Sequence, residues 1–337
     1  MNDQLATFRR TFRQAHATAL DILRQQLPRD DPYLRKMMLS TIRGQVTADY
    51  AFVFQYSFCR SESDATKVRR LAAAIHLLQS SAFVTDDIFD HSELRYGRAA
   101  LHKKYGVSYA IVATELMQSG ALLEISRELR RRRFANALSV MAILNRMVFG
   151  LYVGQYLDVR NTGNLNMTRR QYDRVIALGV GKYFAQLAQC GALLANKANS
   201  EVACLTRFGY HYGMALFITD DMVDIMQAPA TTGKSLGCDL VNRRMRLPVM
   251  LALRLAPRQD AHFLRTYLRQ PAAPRENFRK ALRIVQRSGA LGACKRAAHR
   301  HVKESLSALE SLAQTVPVRR LAWLSQTLLR AQRLHEM

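Results

Sequence analysis

Cysteine is scarce and poorly placed for any covalent or metal framework. The 337 residues hold five, Cys59, Cys190, Cys204, Cys238 and Cys294. They are far apart, odd in number and without C-x-x-C spacing, which argues against a disulfide scaffold or zinc site and fits a reducing compartment. Glycine and proline are thin as well, 16 and 8 scattered residues. No low-complexity linker and no internal repeat divides the chain, so one domain spanning residues 1–337 is expected. No apolar run approaches the roughly 18 to 20 residues of a membrane span. The N-terminal stretch is amphipathic around Phe8, Phe12, Ala15, Leu20 and Leu23 and carries no apolar signal core. The expectation is a cytoplasmic protein without a transmembrane segment.

Acidic residues are also few: 26 against 50 Lys and Arg, a net charge of +24. Such a surface attracts nucleic acid, acidic lipid or phosphorylated small molecules, or is simply a solvated shell. Arg130-Arg131-Arg132-Arg133 reads as an exposed helix connection. No helix-turn-helix, zinc-finger or RNA-binding signature accompanies the charge, so no nucleic-acid partner is expected and the solvated reading is preferred.

What the chain does have is helical periodicity and carboxylates inside it. Met37 to Cys59, Ala65 to His91, Phe134 to Val159, Arg169 to Asn196 and Ser200 to Met226 read as long helices with broad apolar faces. Shorter ones follow Pro248, including Val302 to Ala313 and Val318 to Leu334, and alternating β patterns are absent. Breaks fall at Asn161-Thr162-Gly163-Asn164 and Gln227-Ala228-Pro229. The fold class is all-α, a bundle of long antiparallel helices around a central cavity.

Two segments, Asp86-Asp87-Ile88-Phe89-Asp90 and Asp220-Asp221-Met222-Val223-Asp224, repeat one Asp-Asp-x-x-Asp spacing. The first and last carboxylates of each share a helix face at i and i+4. Both follow apolar stretches, and bringing unpaired carboxylates to a core costs several kcal/mol each. A hard divalent cation compensates: Mg²⁺ takes oxygen ligands from one or two carboxylates and a substrate phosphate. A Mg²⁺–diphosphate site between two facing helices is therefore expected.

The company these motifs keep is basic and ordered. Arg95-Tyr96-Gly97-Arg98 follows the first. Gly154-Gln155-Tyr156-Leu157-Asp158 and Gly181-Lys182-Tyr183-Phe184 come next, and Gly233-Lys234-Ser235-Leu236-Gly237-Cys238-Asp239-Leu240 follows the second. In this order and spacing the chain resembles the trans-isoprenyl diphosphate synthase (polyprenyl synthetase) family over nearly its whole length. The resemblance implies the isoprenoid synthase fold, a prenyl diphosphate substrate and a homodimer. It implies three Mg²⁺ ions, with Asp86, Asp90 and Asp220 as ligands supported by Asp87, Asp221 and Asp224. It assigns Arg95, Lys182 and Lys234 to the allylic diphosphate. Asp86, Asp90, Asp220, Arg95, Lys182 and Lys234 are thus the expected catalytic set, with Gln155 a further contact to substrate. Metal and cations together would neutralise the leaving diphosphate while the C–O bond breaks.

Departures from the family pattern shape the functional expectation. Chain-elongating members hold a second diphosphate in a basic pocket, whose signature is Gly-Lys-Arg-x-Arg upstream and Arg-Arg-Gly downstream. Here Gln45, Ala48 and Tyr96 stand at three of those cationic positions. Charged contacts are worth about 1.5–3 kcal/mol each, so losing three costs orders of magnitude in affinity. Leu216-Phe217 replaces the family's Phe-Gln, and an aromatic face in the cavity suits a migrating carbocation. Small Ser81 and Ala82 at the family's chain-length positions leave room for a long tail. These features point to a class I terpene synthase that cyclises geranylgeranyl diphosphate, with farnesyl diphosphate second. Prenyl transfer is the alternative, either elongation through a basic pocket rearranged around Arg35, Lys36 and Arg43 or transfer to a different acceptor. A non-catalytic partner subunit, or an anion-binding protein exploiting the positive charge, is the third reading.

Overall fold

The computed structural model describes residues 2–42, 49–226, 236–270 and 275–328, and these are helical almost throughout, as expected. Helices α1 (Asn2–Gln26), α2 (Pro32–Ile42) and α3 (Asp49–Phe58) lead through a short 3₁₀ turn to α4 (Arg69–Phe89). Two-residue strands β1 (Leu94–Arg95) and β2 (Arg98–Ala99) then precede α5 (Leu101–Tyr105), α6 (Val107–Arg131) and α7 (Ala137–Arg160). Next come α8 (Arg169–Ile176), a π-helical segment (Ala177–Gly181), α9 (Lys182–Leu194) and α10 (Asn199–Met226). The chain continues with α11 (Cys238–Val241), α12 (Leu247–Leu255), α13 (Arg258–Arg269), α14 (Arg275–Arg287), α15 (Ala290–Glu310) and α16 (Val316–Leu328).

Small residues decide how closely these helices pack. The middle of α4, Leu71 to Ser81, is buried all round and dominated by Ala, Ser and Leu, so it lies against α1, α3 and α6. Helix α10 packs on α9 and α15. A Cβ at Gly213 of α10 would stand 2.6 Å from the Val180 carbonyl oxygen, and one at Gly209 would run into the Phe184 backbone. The α9–α10 crossing is thus set by backbone contact, with no room for a methyl group. Thr168 begins α8 with a capping box, its side chain accepting from Gln171 N–H while Gln171 returns the bond.

Three differences from the sequence reading matter. Helix α6 has no bounds in the sequence pattern, because its exposed face is itself apolar and blurs the periodicity, and its last turn takes in Arg130 and Arg131 of the expected connection. The β1–β2 hairpin pairs Leu94 with Ala99 and Arg95 with Arg98, with Tyr96 and Gly97 both at positive φ in a two-residue turn. Finally, α7 is long and apolar enough to cross a membrane by length and composition, the single such helix among the described residues.

Candidate active site

The last turns of α4 and α10 face one cavity of about 320 Å³. Asp86 of α4 and Asp90, which caps its C-terminal end, line it from one side, and Asp220, Asp221 and Asp224 from α10. Asp87 does not. One residue on from Asp86 it is rotated by about 100°, buried at 3% exposure. There the hairpin presents Arg95, whose Nε donates to both Asp87 oxygens at 2.9 and 3.0 Å and whose Nη2 reaches Asp86 Oδ2 at 3.1 Å. The guanidinium also lies 5.1 Å from the Phe83 ring centre and 5.9 Å from that of Tyr96. Burial works against its charge, but Asp87 and Asp86 outweigh that and hold the group firmly cationic.

Two further arginines, from the segment between α11 and α12, knit Asp90, Asp158, Asp221 and Asp239 together. Arg246 Nη1 donates to Asp158 Oδ1 at 2.8 Å and Nε to Asp239 Oδ1 at 3.2 Å, with Asp221 Oδ1 3.7 Å away. Its guanidinium sits 5.1 Å from the Phe217 ring centre. Arg244 Nη2 lies 2.8 Å from Asp90 Oδ1, and Nη1 lies 3.3 Å from Asp158 Oδ2. Asp221 further accepts from Tyr172 Oη at 2.7 Å and Leu247 N–H at 3.2 Å. Burial still dominates: it raises the Asp221 carboxyl above its ordinary range against the pull of Arg246. It raises Asp90 too, helped by Asp86 and Asp239. Asp224 has a different task, accepting from the Cys238 and Asp239 N–H groups at 3.0 and 3.2 Å and so fixing the start of α11.

Several expected residues fall elsewhere. Gln155, Ala82 and Phe217 do line the cavity. Ser81 does not: it is buried in α4 with its hydroxyl donating to Leu78 O at 2.7 Å. Lys182 is solvent-exposed at the start of α9, off the cavity wall. The π segment just before it shifts the helical register, and Gly179 and Val180 form the wall there. Lys234 lies outside the described residues, as do Arg43, Gln45 and Ala48. The suggested rearranged basic pocket gains nothing from its described members. Arg35 is tied to the carbonyls of Leu27 and Arg24 at 3.1 and 3.3 Å, and Lys36 faces solvent.

Other residues enter unannounced. Asp158 and Asp239 belong to segments the motifs already contain, and Gln155 and Asp158 share a face at i and i+3. Asp49, a lone acid opening α3, which is buried apart from Tyr50, lines the inner wall and accepts from Tyr212 Oη at 2.6 Å. Burial raises its carboxyl, against that hydrogen bond. Gln79, two turns before Asp86, lines the cavity with neither amide atom hydrogen-bonded; Nε2 of Gln155 is likewise unpartnered. Arg244 and Arg246 gave one faint signal, since with Arg243 they make three arginines within four residues just before Leu247-Pro248. Among the described residues no three His, Cys, Asp or Glu side chains stand together as a ready-made metal site.

Comparison with known proteins converges on one group. Residues 33–285 match the family model described as Polyprenyl synthetase. The chain is 29% identical over 245 residues to a short chain isoprenyl diphosphate synthase of Methanothermobacter thermautotrophicus, covering 73% of this chain and 74% of that one. A geranylgeranyl diphosphate synthase of Mycobacterium tuberculosis is also 29% identical, covering 73% and 69%. Among solved structures, a Caulobacter crescentus polyprenyl synthase complexed with calcium and isoprenyl diphosphate superposes with a TM-score of 0.86 at 20% identity, covering 97% of each chain. The fold is the isoprenoid synthase fold. These relatives are named as isoprenyl, geranylgeranyl or polyprenyl synthases and none as a terpene cyclase, which overturns the cyclisation expected from Gln45, Ala48, Tyr96 and Phe217. Phe217 has an occupation of its own under the Arg246 guanidinium.

Proposed function

The chain belongs to the polyprenyl synthetase family, and from that membership we propose that it is a divalent-metal-dependent prenyltransferase that lengthens an allylic prenyl diphosphate. The observation that carries this reading is the meeting of Asp86 and Asp90 with Asp220 and Asp221 across one cavity, with Arg95 and Arg246 on its wall. The donors are all carboxylate oxygens, which suits Mg²⁺. Such ions are commonly held by one or two carboxylates and completed by substrate phosphate and water, so dispersed pairs are a fitting arrangement. Asp86, Asp90 and Asp220 would hold the ions, which when bound neutralise charge on the departing diphosphate.

The protein's own groups then divide the work. Arg95, fixed by Asp87 and close to the Phe83 and Tyr96 rings, presents a preorganised cation to the diphosphate and needs little reorganisation as charge develops. Leu151, Val175, Val180 and Leu216 give the prenyl tail an apolar wall that keeps water from the cation. Gln79 and Gln155 offer unpartnered amide groups to a ligand's polar atoms, since buried amides in native proteins find partners. The family's habit of pairing, together with apolar stripes exposed along α6 and α7, leads us to include a homodimer in this reading.

The test uses the full chain with Mg²⁺, labelled isopentenyl diphosphate and a series of allylic diphosphates from dimethylallyl to geranylgeranyl. Label appearing in a longer prenyl diphosphate is the expected result. A hydrocarbon or alcohol formed from the allylic substrate alone, with no label incorporated, would overturn it.

A further inference from the structure

The positive charge is not spread evenly. Between Arg254 and Lys303 the sequence holds thirteen Lys and Arg against two carboxylates, Asp260 and Glu276. Twelve of those cations are exposed, and among the described residues none of the twelve lies within ion-pair distance of a carboxylate. Helix α14 is their centre. Its inner side, with Ala281, Leu282 and Val285, is buried, while Arg279, Arg283 and Arg287 form an i, i+4, i+8 row on the solvent side beside Lys280. Helices α13 and α15 flank it, carrying exposed Arg265, Arg269, Lys295 and Arg296. Lys280 Nζ lies 4.2 Å from the ring centre of Phe263 in α13, so the first two rows are continuous.

This face adjoins the mouth of the cavity. Phe278 of α14 packs over Gly237, whose neighbours Cys238 and Asp239 line the cavity, and Gln286 Nε2 donates to Ile225 O at the end of the second aspartate segment. Exposed apolar side chains accompany the cations: Leu255 between Arg254 and Arg258, and Val241 and Met226 near the mouth. Cations mixed with apolar groups on a convex helical surface suit the interface of an anionic bilayer. Single-stranded nucleic acid is bound instead by grooves with stacking rings, and no Phe, Tyr or Trp is exposed on α13, α14 or α15 among the described residues.

We propose that the outer face of α14, with its neighbours in α13 and α15, docks the protein on an anionic phospholipid surface with the cavity mouth beside the bilayer. Docking stands on charge and shape and does not depend on the prenyl-transfer reading. If that reading holds, a product with a charged head and hydrocarbon tail is released next to the phase it prefers.

The experiment is co-flotation of the full chain with phosphatidylcholine vesicles, with and without phosphatidylglycerol. One cation at such a surface is worth about fivefold in affinity. The triple variant Arg279→Glu, Arg283→Glu, Arg287→Glu should therefore lose at least about tenfold. A charge-matched variant elsewhere (Arg10→Glu, Arg13→Glu, Arg130→Glu) should stay within about twofold of the parent, and circular dichroism checks that both fold. Absence of phosphatidylglycerol-dependent flotation, or equal losses in the two variants, overturns the proposal. So does a triple variant that floats normally yet loses affinity for a short single-stranded RNA in fluorescence anisotropy, because the face would then be a nucleic-acid surface. Turnover in free solution is assayed separately, so failure of prenyl transfer leaves the flotation result standing.

Discussion

Single side chains here carry two jobs that separate variants can pull apart. Arg95 both faces the cavity and neutralises Asp87, whose side chain is 4% exposed. Arg95→Gln should destabilise the fold by about 3 kcal/mol, because it strands a buried charge, and should also abolish turnover. Adding Asp87→Asn removes the stranded charge, so the double variant should regain most of its thermal stability and stay inactive. Recovery of activity in the double variant would show that Arg95 acts only through Asp87. Asp86→Ala and Asp220→Ala remove proposed metal ligands and should each lower turnover by at least about a hundredfold while the folded protein survives; full activity in either sinks the assignment. His76 is a different case, fully buried in α4 with neither ring nitrogen hydrogen-bonded. Burial, with a smaller contribution from His16, pushes it down to about 3, against about 6.5 unfolded. In that window the unfolded chain binds a proton the folded one does not. Stability present above about pH 6.5 is therefore lost as pH falls, at up to about 1.4 kcal/mol per pH unit. His76→Leu should remove that slope in urea titrations run at several pH values, with little cost at neutral pH. The aspartates were legible in the sequence because a repeated i, i+4 spacing in apolar surroundings has few explanations. His76 was not, because orphaned burial is a property of neighbours that sequence spacing does not name.

At the scale of helices, glycine contacts make a sharper forecast than periodicity does. A Cβ at Gly209 would press on the backbone of Phe184, which cannot swing aside as a side-chain tip could. Gly209→Ala should cost about 1–3 kcal/mol as α9 and α10 move apart. Gly292→Ala in α15 meets only the far end of Arg296 at 3.7 Å and should be neutral or slightly stabilising. Equal denaturation midpoints for the two variants would contradict the close crossing. Most of the long helices were readable because one face is polar and the other apolar. Where the sequence reading failed, the reason was local. The apolar pattern predicts one long helix over Arg169 to Asn196, but the π segment at Ala177–Gly181 changes the winding without changing composition, and Lys182 just after it stands off the wall. The hairpin at Leu94–Ala99 is too short for any alternation to register, yet it decides which way Arg95 points.

Over the whole molecule, surface character is sorted by side. The basic excess gathers on α13, α14 and α15, while α6 and α7 expose apolar groups in helical rows: Tyr109, Val112, Leu116 and Leu123 on one, and Leu138, Phe149 and Tyr156 on the other. Net charge and mean composition average these sides together, so neither was visible before the helices were placed. Leu138 is 88% exposed and Phe149 71%, and a contiguous apolar face of that kind marks a surface that another body covers. A second copy of the chain meets the need, because like rows on two helices can pair face to face about a two-fold axis. Burying an aromatic anchor near the centre of such an interface makes it sensitive to a single charge. Phe149→Glu, exposed in the monomer and distant in sequence from the aspartate segments, should leave the helical content intact. It should convert a species of twice 38.3 kDa into one of single mass in sedimentation velocity. A parent protein that already sediments as a monomer at micromolar concentration would remove the homodimer from the proposed function and leave the apolar rows of α6 and α7 facing some other surface.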